Sequence, residues 1–430
     1  MNQKRACGAV LMASLVLFTA ACGSSAKGTS TTAAPTATTP APTATTPATD
    51  AAPTTAAAPT GTPLKFYVLG PSEDDSKNDS SQGKAGVQAA VKEINDAGGV
   101  AGHSLSAVFC GNGNKTDQNK AAECARNATG DKDVSAVVWA TTNFGAAINP
   151  ILEQAGMACI GCTPFTQADF TSPNFYATTS GSLSVTGLAA SAVDVLHGKK
   201  IALIIPDVPT AHGLEPLINS LVLGPRNSKL DQVVYVPLDA VDVTAQAAQL
   251  AGEDVIIDTL LQSNSPSFVS ALRQQGSKAQ ILTSGGVYGA ATIGKQFGEN
   301  ANGIYVGSVF DRSSDGFAEY EKAMDAIGQK GSDLDSEQST QSYLAVQLFA
   351  QIATQLKGEV TPATVLKTVG SLSAFSFKGL TPPVDFTKPG AFGGGHFPAI
   401  RNDAVTLLIY KDGALVPQGT GFTHIFGTPG

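Results

Sequence analysis

Charge is scarce in this chain of 430 residues, where Asp, Glu, Lys and Arg together make up 14%. What charge there is leans acidic, with 27 basic residues against 35 acidic ones and a formal net charge of -8. A chain of that sign repels phosphate backbones instead of displacing their counterions, which excludes nucleic acid as a partner. Six cysteines are too few to make a disulfide scaffold at this length. The five histidines are scattered, and none stands beside a cysteine or carboxylate at ligand spacing, so neither a metal nor a cofactor is expected. No His-Glu-x-x-His zinc motif and no Gly-x-Ser-x-Gly nucleophile elbow occurs. The segment from Gly289 to Lys295 has P-loop spacing, but Gln296 replaces the hydroxyl residue that would hold Mg²⁺. Two acidic clusters, Glu73 to Asp79 and Asp333 to Glu337, lack the loop spacing of a calcium site and read as solvated surface.

What is present begins with an address. Lys4 and Arg5 precede a charge-free apolar run from Ala9 to Ala21, the length of a signal-peptide core and short of the ~20 residues a membrane span needs. From Thr29 to Thr62 the chain is almost wholly Thr, Ala and Pro, with Asp50 the sole charge. Such a composition cannot bury enough apolar surface to offset ordering entropy and is expected to act as an extended tether.

After Pro63 the pattern alternates between short apolar runs and amphipathic stretches. Leu64 to Leu69, Leu105 to Phe109, Val134 to Trp139 and Met157 to Gly161 read as strands. Between them Val87, Val91 and Ile94 mark a helix stopped by Gly98-Gly99, and further helices are expected around 120–127 and 146–155. The rhythm restarts at Lys200, with strands at 201–205, 233–236, 255–258, 280–283 and 303–306 and helices near 214–223, 244–250 and 267–275. Long helices follow at 317–327 and 341–356, a short one after Pro362, and a hairpin through Asp412-Gly413. Two parallel, doubly wound α/β lobes are the expected architecture, with the C-terminal third completing both so that the chain crosses between lobes more than once.

The four cysteines inside this folded part allow three connectivities. The expected pairs are Cys110 with Cys124 and Cys159 with Cys162, as suits an exported chain. The alternatives for Cys159-Ile-Gly-Cys162 are a buried free thiol or a thiol–disulfide site. The latter is disfavoured because Thr163-Pro164 follows where a helix should start.

Several of these segments resemble known patterns. Thr19-Ala20-Ala21-Cys22 resembles a bacterial lipobox, with Thr where Leu is usual, and implies lipidation of Cys22. Val91 to His103 (VKEINDAGGVAGH), Ala147 to Gly161 (AINPILEQAGMACIG), Gln167 to Phe175, Ala271 to Gly276 and Ile304 to Gly307 resemble, in order and spacing, the branched-chain amino-acid (leucine/isoleucine/valine) branch of the type I periplasmic solute-binding proteins of ABC importers. The resemblance covers the chain from Leu64 onward. It implies two Rossmann-like lobes joined by a multi-crossing hinge, with ligand held in the cleft outside the carboxyl ends of the strands. It also implies hinge closure and docking on ABC permease subunits, no reaction, and a monomer anchored by lipid on the outer face of the cytoplasmic membrane. The expected layout is a signal peptide at 1–21, a lipidated linker at 22–62, lobe I at 63–198 with 312–388, and lobe II at 199–311 with 389–430. An extracellular sensor of the same fold is the alternative.

By the same resemblance, Thr142, Thr166 and the backbone around Thr163 are expected to hold a ligand carboxylate, unless these hydroxyls only cap helices. His212 takes the place of a closing aromatic residue, and Gln262 and Ser263 form another wall. The family's acidic partner for a ligand ammonium falls near Ser284-Gly285-Gly286, where this chain has no charge. Either the ligand lacks that amine, or Asp79 or Asp75 supplies the carboxylate from lobe I.

Overall fold

The computed structural model describes residues 58–70, 79–112, 117–208, 211–286 and 288–427. The signal segment, Cys22, Asp75 and most of the Thr/Ala/Pro stretch lie outside them.

Apolar runs that bury both faces become the central strands of two sheets. Lobe I holds β1 (Gly61–Gly70), β2 (His103–Gly111), β3 (Val134–Ala140), β4 (Cys159–Ile160) and β5 (Phe175–Tyr176), all parallel, in the order β2-β1-β3-β4-β5. β3 is buried at every residue, as expected for a strand with helices on both sides. Lobe II holds β6 (Ile201–Pro206), β7 (Gln232–Val236), β8 (Val255–Asp258), β9 (Gln280–Ser284), β10 (Tyr305–Ser308), β11 (Ala404–Lys411) and β12 (Ala414–His424), in the order β12-β11-β10-β9-β8-β6-β7. Only the β10-β11-β12 edge is antiparallel.

The helices cover these sheets. In lobe I they are α1 (Asp79–Asp96), α2 (Gln118–Gly130), α3 (Gly145–Gln154) and α4 (Gln167–Thr171). α5 (Ser184–Asp194), α6 (Leu214–Leu217), α7 (Thr244–Leu250), α8 (Ser265–Gln274) and α9 (Ala290–Phe297) follow. The chain then adds α10 (Asp315–Asp325), α11 (Glu337–Gln355) and α12 (Pro362–Val369). α11 lies along α1, and between them and sheet I sits a core in which Phe66 meets Phe349 edge-on at 5.3 Å between centroids. Trp139, at the end of β3, is fully buried with φ at +62° and packs its indole against Gly83 of α1. The β1–β3 register breaks over the interval that holds it, with Tyr67 opposite Val137 and Leu69 opposite Ala140, so a step of three residues in β3 matches a step of two in β1. Cys110 is bonded to Cys124, joining β2 to α2, and Cys159 to Cys162, joining the end of β4 to the following loop.

The lobe boundaries differ from the sequence expectation at two of three crossings. The first crossing falls at 178–183, not at 198, because α5 packs on sheet II, setting Gly187 and Leu188 against Val405 and Gly307. The chain returns to lobe I after Ser308, where the Asp311 N–H donates to the Leu380 carbonyl at 3.0 Å. The last crossing falls near Asn402, not at 388. Residues up to Ile400 still pack on lobe I, with the Ala399 N–H donating to the Phe170 carbonyl and Phe397 edge-on to Phe170. Strand β1 also starts at Gly61, two residues inside the expected linker. The crossing segments are stitched together: the Asn402 amide donates to the Thr178 carbonyl at 2.9 Å, and the Thr406 hydroxyl to the Phe310 carbonyl at 2.9 Å.

Candidate functional site

A cavity of about 530 Å³ lies between elements of both lobes, at the carboxyl ends of the lobe II strands β8 and β9. Gln82 of α1 and the start of α11 border it from lobe I. The turn after β8 (Thr259 to Gln262) and the segment from Gly285 to Thr292 border it from lobe II.

Among the described residues two carboxylates line this space. Asp335 is balanced: Arg312 donates from Nη1 to Oδ1 at 2.6 Å, and the Ala290 N–H at the start of α9 donates to Oδ2 at 3.0 Å. That second contact fills the helix start of the P-loop-like segment with a carboxylate, where a phosphate would have to sit. Glu337, the first residue of α11, accepts the Val309 N–H on Oε1 at 3.1 Å. Burial pushes its carboxyl above the usual range, while the Ser308 hydroxyl, the Val309 N–H and the more distant Arg312 pull it back. Among the described residues no Lys or Arg forms an ion pair with it. Its position relative to Gly285 is specific, since a Cβ built on Gly285 would stand 3.0 Å from Glu337 Oε1. The carboxylate thus occupies the space into which a side chain at position 285 would project.

Beneath the β8 wall lies Asp258, 1% exposed, accepting the Ser265 hydroxyl at 2.5 Å and the Leu260 N–H at 3.0 Å. Burial pushes its carboxyl up to about 6. Its hydrogen bonds shape the turn that places Leu260, Leu261 and Gln262 on the cavity.

Of the residues singled out by sequence, the cavity brings together Gln262 and Gly285. Thr142 lies in a lobe I loop at the carboxyl end of β3, its hydroxyl accepting the Phe144 N–H at 3.1 Å. Thr163 donates its N–H to the Ala140 carbonyl at 3.0 Å. Thr166 caps α4 in a reciprocal box with Asp169, its hydroxyl donating to Oδ2 at 2.9 Å. His212 stacks on Tyr235 at 4.3 Å, and its Nε2 is 2.9 Å from Asp207 Oδ1. Ser263 donates to Asn264 Oδ1 at 2.6 Å. Asp79 opens α1, and its side chain lies outside the description.

One reading is corrected. The cluster from Asp333 to Glu337 is not simply solvated surface, because Asp335 and Glu337 turn into the cavity. The acidic run was the signal, but nothing local says that the start of α11 folds over the end of β9. The thiol–disulfide alternative also loses its basis. Cys159 and Cys162 are 1% and 0% exposed, and α4 begins only at Gln167, so no attacking thiol reaches the bond and no adjacent helix start stabilises a thiolate. Among the described residues no helix is long and apolar enough to cross a membrane, and no group of three or more His, Cys, Asp or Glu could hold a metal ion.

Two mainly parallel sheets, a cavity bordered by elements of both lobes and three crossing segments define a bilobal ligand-binding protein of the type I class. Over residues 63–397 the sequence matches the periplasmic binding protein family, and the chain belongs to it. This is a family of binding proteins, not enzymes. Among curated proteins no match was found. Solved structures share the fold at low identity. The branched-chain amino acid transporter substrate binding protein of Streptococcus pneumoniae, in complex with isoleucine, is 18% identical with a TM-score of 0.60, covering 82% of this chain and 97% of its own. A solute binding protein of an ABC transporter from Rhodopseudomonas palustris, in complex with p-hydroxybenzoic acid, is 17% identical with a TM-score of 0.65, covering 85% and 98%. A fatty acid ABC transporter substrate-binding protein from Thermomonospora curvata is 17% identical with a TM-score of 0.62, covering 85% and 94%.

Proposed function

We propose that this chain is the extracytoplasmic solute receptor of an ABC importer. It is held to the membrane by a lipid on Cys22 and captures a small polar solute, a branched-chain amino acid or a related amino acid or amide, between its lobes. The observation that carries this reading is the cavity itself, bordered by α1 and α11 of lobe I and by the carboxyl ends of β8 and β9 of lobe II, and large enough for a molecule of that size. A solute gripped by both walls favours the lobe arrangement that contacts it on both sides, which is how occupancy would be reported to the permease. Thr142, Thr163, Thr166, His212 and Ser263 are not among the residues lining the cavity, so in this reading they would reach the ligand only on closure of the lobes.

The test is thermal unfolding of the purified chain against leucine, isoleucine, glutamine, p-hydroxybenzoate and hexanoate. A solute that binds only the folded state at a concentration 100 times its Kd adds about 2.7 kcal/mol of stability and raises the midpoint. A rise with at least one member is expected, and a flat response to all of them removes the reading. The anchor is tested separately by fractionation of the producing cells. Cys22→Ser is expected to move the chain from the membrane to the soluble fraction, and an unchanged distribution refutes lipidation at that residue.

A further inference from the structure

The acidic partner missing from the end of β9 is replaced in space by a group from another element. We infer that the cleft takes a solute carrying a cationic nitrogen, paired by Glu337 at the start of α11. This rests on the receptor reading above and narrows it to a charge class.

Three observations converge. The first is position: Glu337 Oε1 lies 3.0 Å from where a Cβ on Gly285 would be, and Oε2 lies 3.9 Å from the same point on Gly286. A carboxylate from α11 therefore faces the sheet end that has none of its own. The second is charge balance. The described residues lining the cavity include two carboxylates, Asp335 and Glu337, and no Lys, Arg or His. Asp335 is already matched by Arg312, whose guanidinium bonds both its side chain and its carbonyl. Among the described residues Glu337 is bonded by a backbone N–H and has the Ser308 hydroxyl beside it, while Arg312 acts on it only from a distance and is bonded to Asp335, so a cation arriving there meets a carboxylate without an ion-pair partner of its own. The third is energetic: the partly desolvated Glu337 carboxyl titrates above its usual range, a cost that a bound ammonium would reverse.

Glu337 also explains how such a solute would act on the hinge. Its carboxylate bonds Val309, in the segment that returns from lobe II to lobe I, while its helix packs on α1 of lobe I. A cation held between Glu337 and the β8–β9 wall touches the crossing segment and both lobes at once.

The experiment measures binding by calorimetry and thermal shift with matched probes: leucine beside 4-methylpentanoate, glutamine beside glutaramate, and putrescine beside 1,4-butanediol. It uses the parent chain, Glu337→Gln and Glu337→Asp. The expected result is that amine-bearing probes bind, that each amine-free partner binds weaker by about tenfold or more, and that Glu337→Gln loses a similar factor while keeping the ligand-free melting temperature. Glu337→Asp, which keeps the charge, should retain part of the affinity. Tighter binding of amine-free acids, p-hydroxybenzoate included, or unchanged amine binding in Glu337→Gln, overturns the inference and leaves the receptor reading standing. Failure of every probe takes down both.

Discussion

Trp139→Ala is expected to lower the unfolding free energy by about 3–5 kcal/mol, the usual cost of truncating a fully buried aromatic residue that cannot be repacked. The indole is wedged between sheet I and α1, and Gly83 makes room for it: a methyl there would come within 1.9 Å of the ring. Trp139→Gly supplies the sharper test. At an ordinary strand position glycine is less stable than alanine, because it has more backbone freedom to lose. Here φ is +62°, a region that costs an L side chain about 1–2 kcal/mol and costs glycine nothing. Trp139→Gly is therefore expected to be the more stable of the two, by up to about 1 kcal/mol, in urea denaturation. The reverse order would mean that the backbone at the β3 bulge relaxes once the indole is gone.

The second large effect concerns acid and base. Asp258 titrates near 6 when folded against a reference of 3.8, a difference of about two units or roughly 3 kcal/mol. The folded state keeps its proton to higher pH than the unfolded chain does, so the contribution is fully present below the unfolded value and is lost as pH rises through about 6. Asp258→Asn removes the titration. The stability of this variant relative to the parent should thus climb by up to about 3 kcal/mol between pH 4 and pH 7, then level off. A difference that does not change with pH would show that the Ser265 hydroxyl and the Leu260 N–H hold the charged form fully. The neighbouring Tyr288 hydroxyl, pushed up to about 12 by burial, stays protonated throughout.

How much of this was legible in the sequence depends on whether local pattern or tertiary placement decides. β3, β6 and β8 are nearly continuous apolar runs buried on both faces, and such runs announce themselves, as does the alternation of buried and half-buried residues in β1. α5 does not: Ser184 to Asp194 is small and apolar on almost every side, with buried residues all around it, so it carries no helical stripe and its lobe cannot be guessed. The expected helix over 214–223 is present, as one α-helical turn at α6 that continues into a wider helical turn from Ile218 to Leu223. β4 and β5 are two residues each, below the length at which alternation is visible. For the site, the carboxyl ends of the strands were foreseeable from topology, whereas Gln262 and Gly285, which line the cavity, were singled out through the family resemblance. The presence of Glu337 there was not foreseeable, because it comes from a helix that starts 52 residues further along the chain and folds back over Gly285.

The pairing of α1 with α11 has a consequence in time. The Ser342 hydroxyl donates to the Gly83 carbonyl at 2.7 Å, and the Tyr343 hydroxyl to Glu93 Oε2 at 2.6 Å, across 259 and 250 residues of sequence. At roughly 5–20 residues per second, a ribosome takes on the order of 10–50 s to travel from the end of α1 to the start of α11. Throughout that interval the inner face of α1 and one side of sheet I lack the cover of α11, and by its end β6 to β10 of lobe II have all been made. Lobe I, first to be synthesised, is last but for one hairpin to close, and the nascent chain spends most of its translation with Phe66, Val87 and Ala90 open to any holdase that recognises apolar surface.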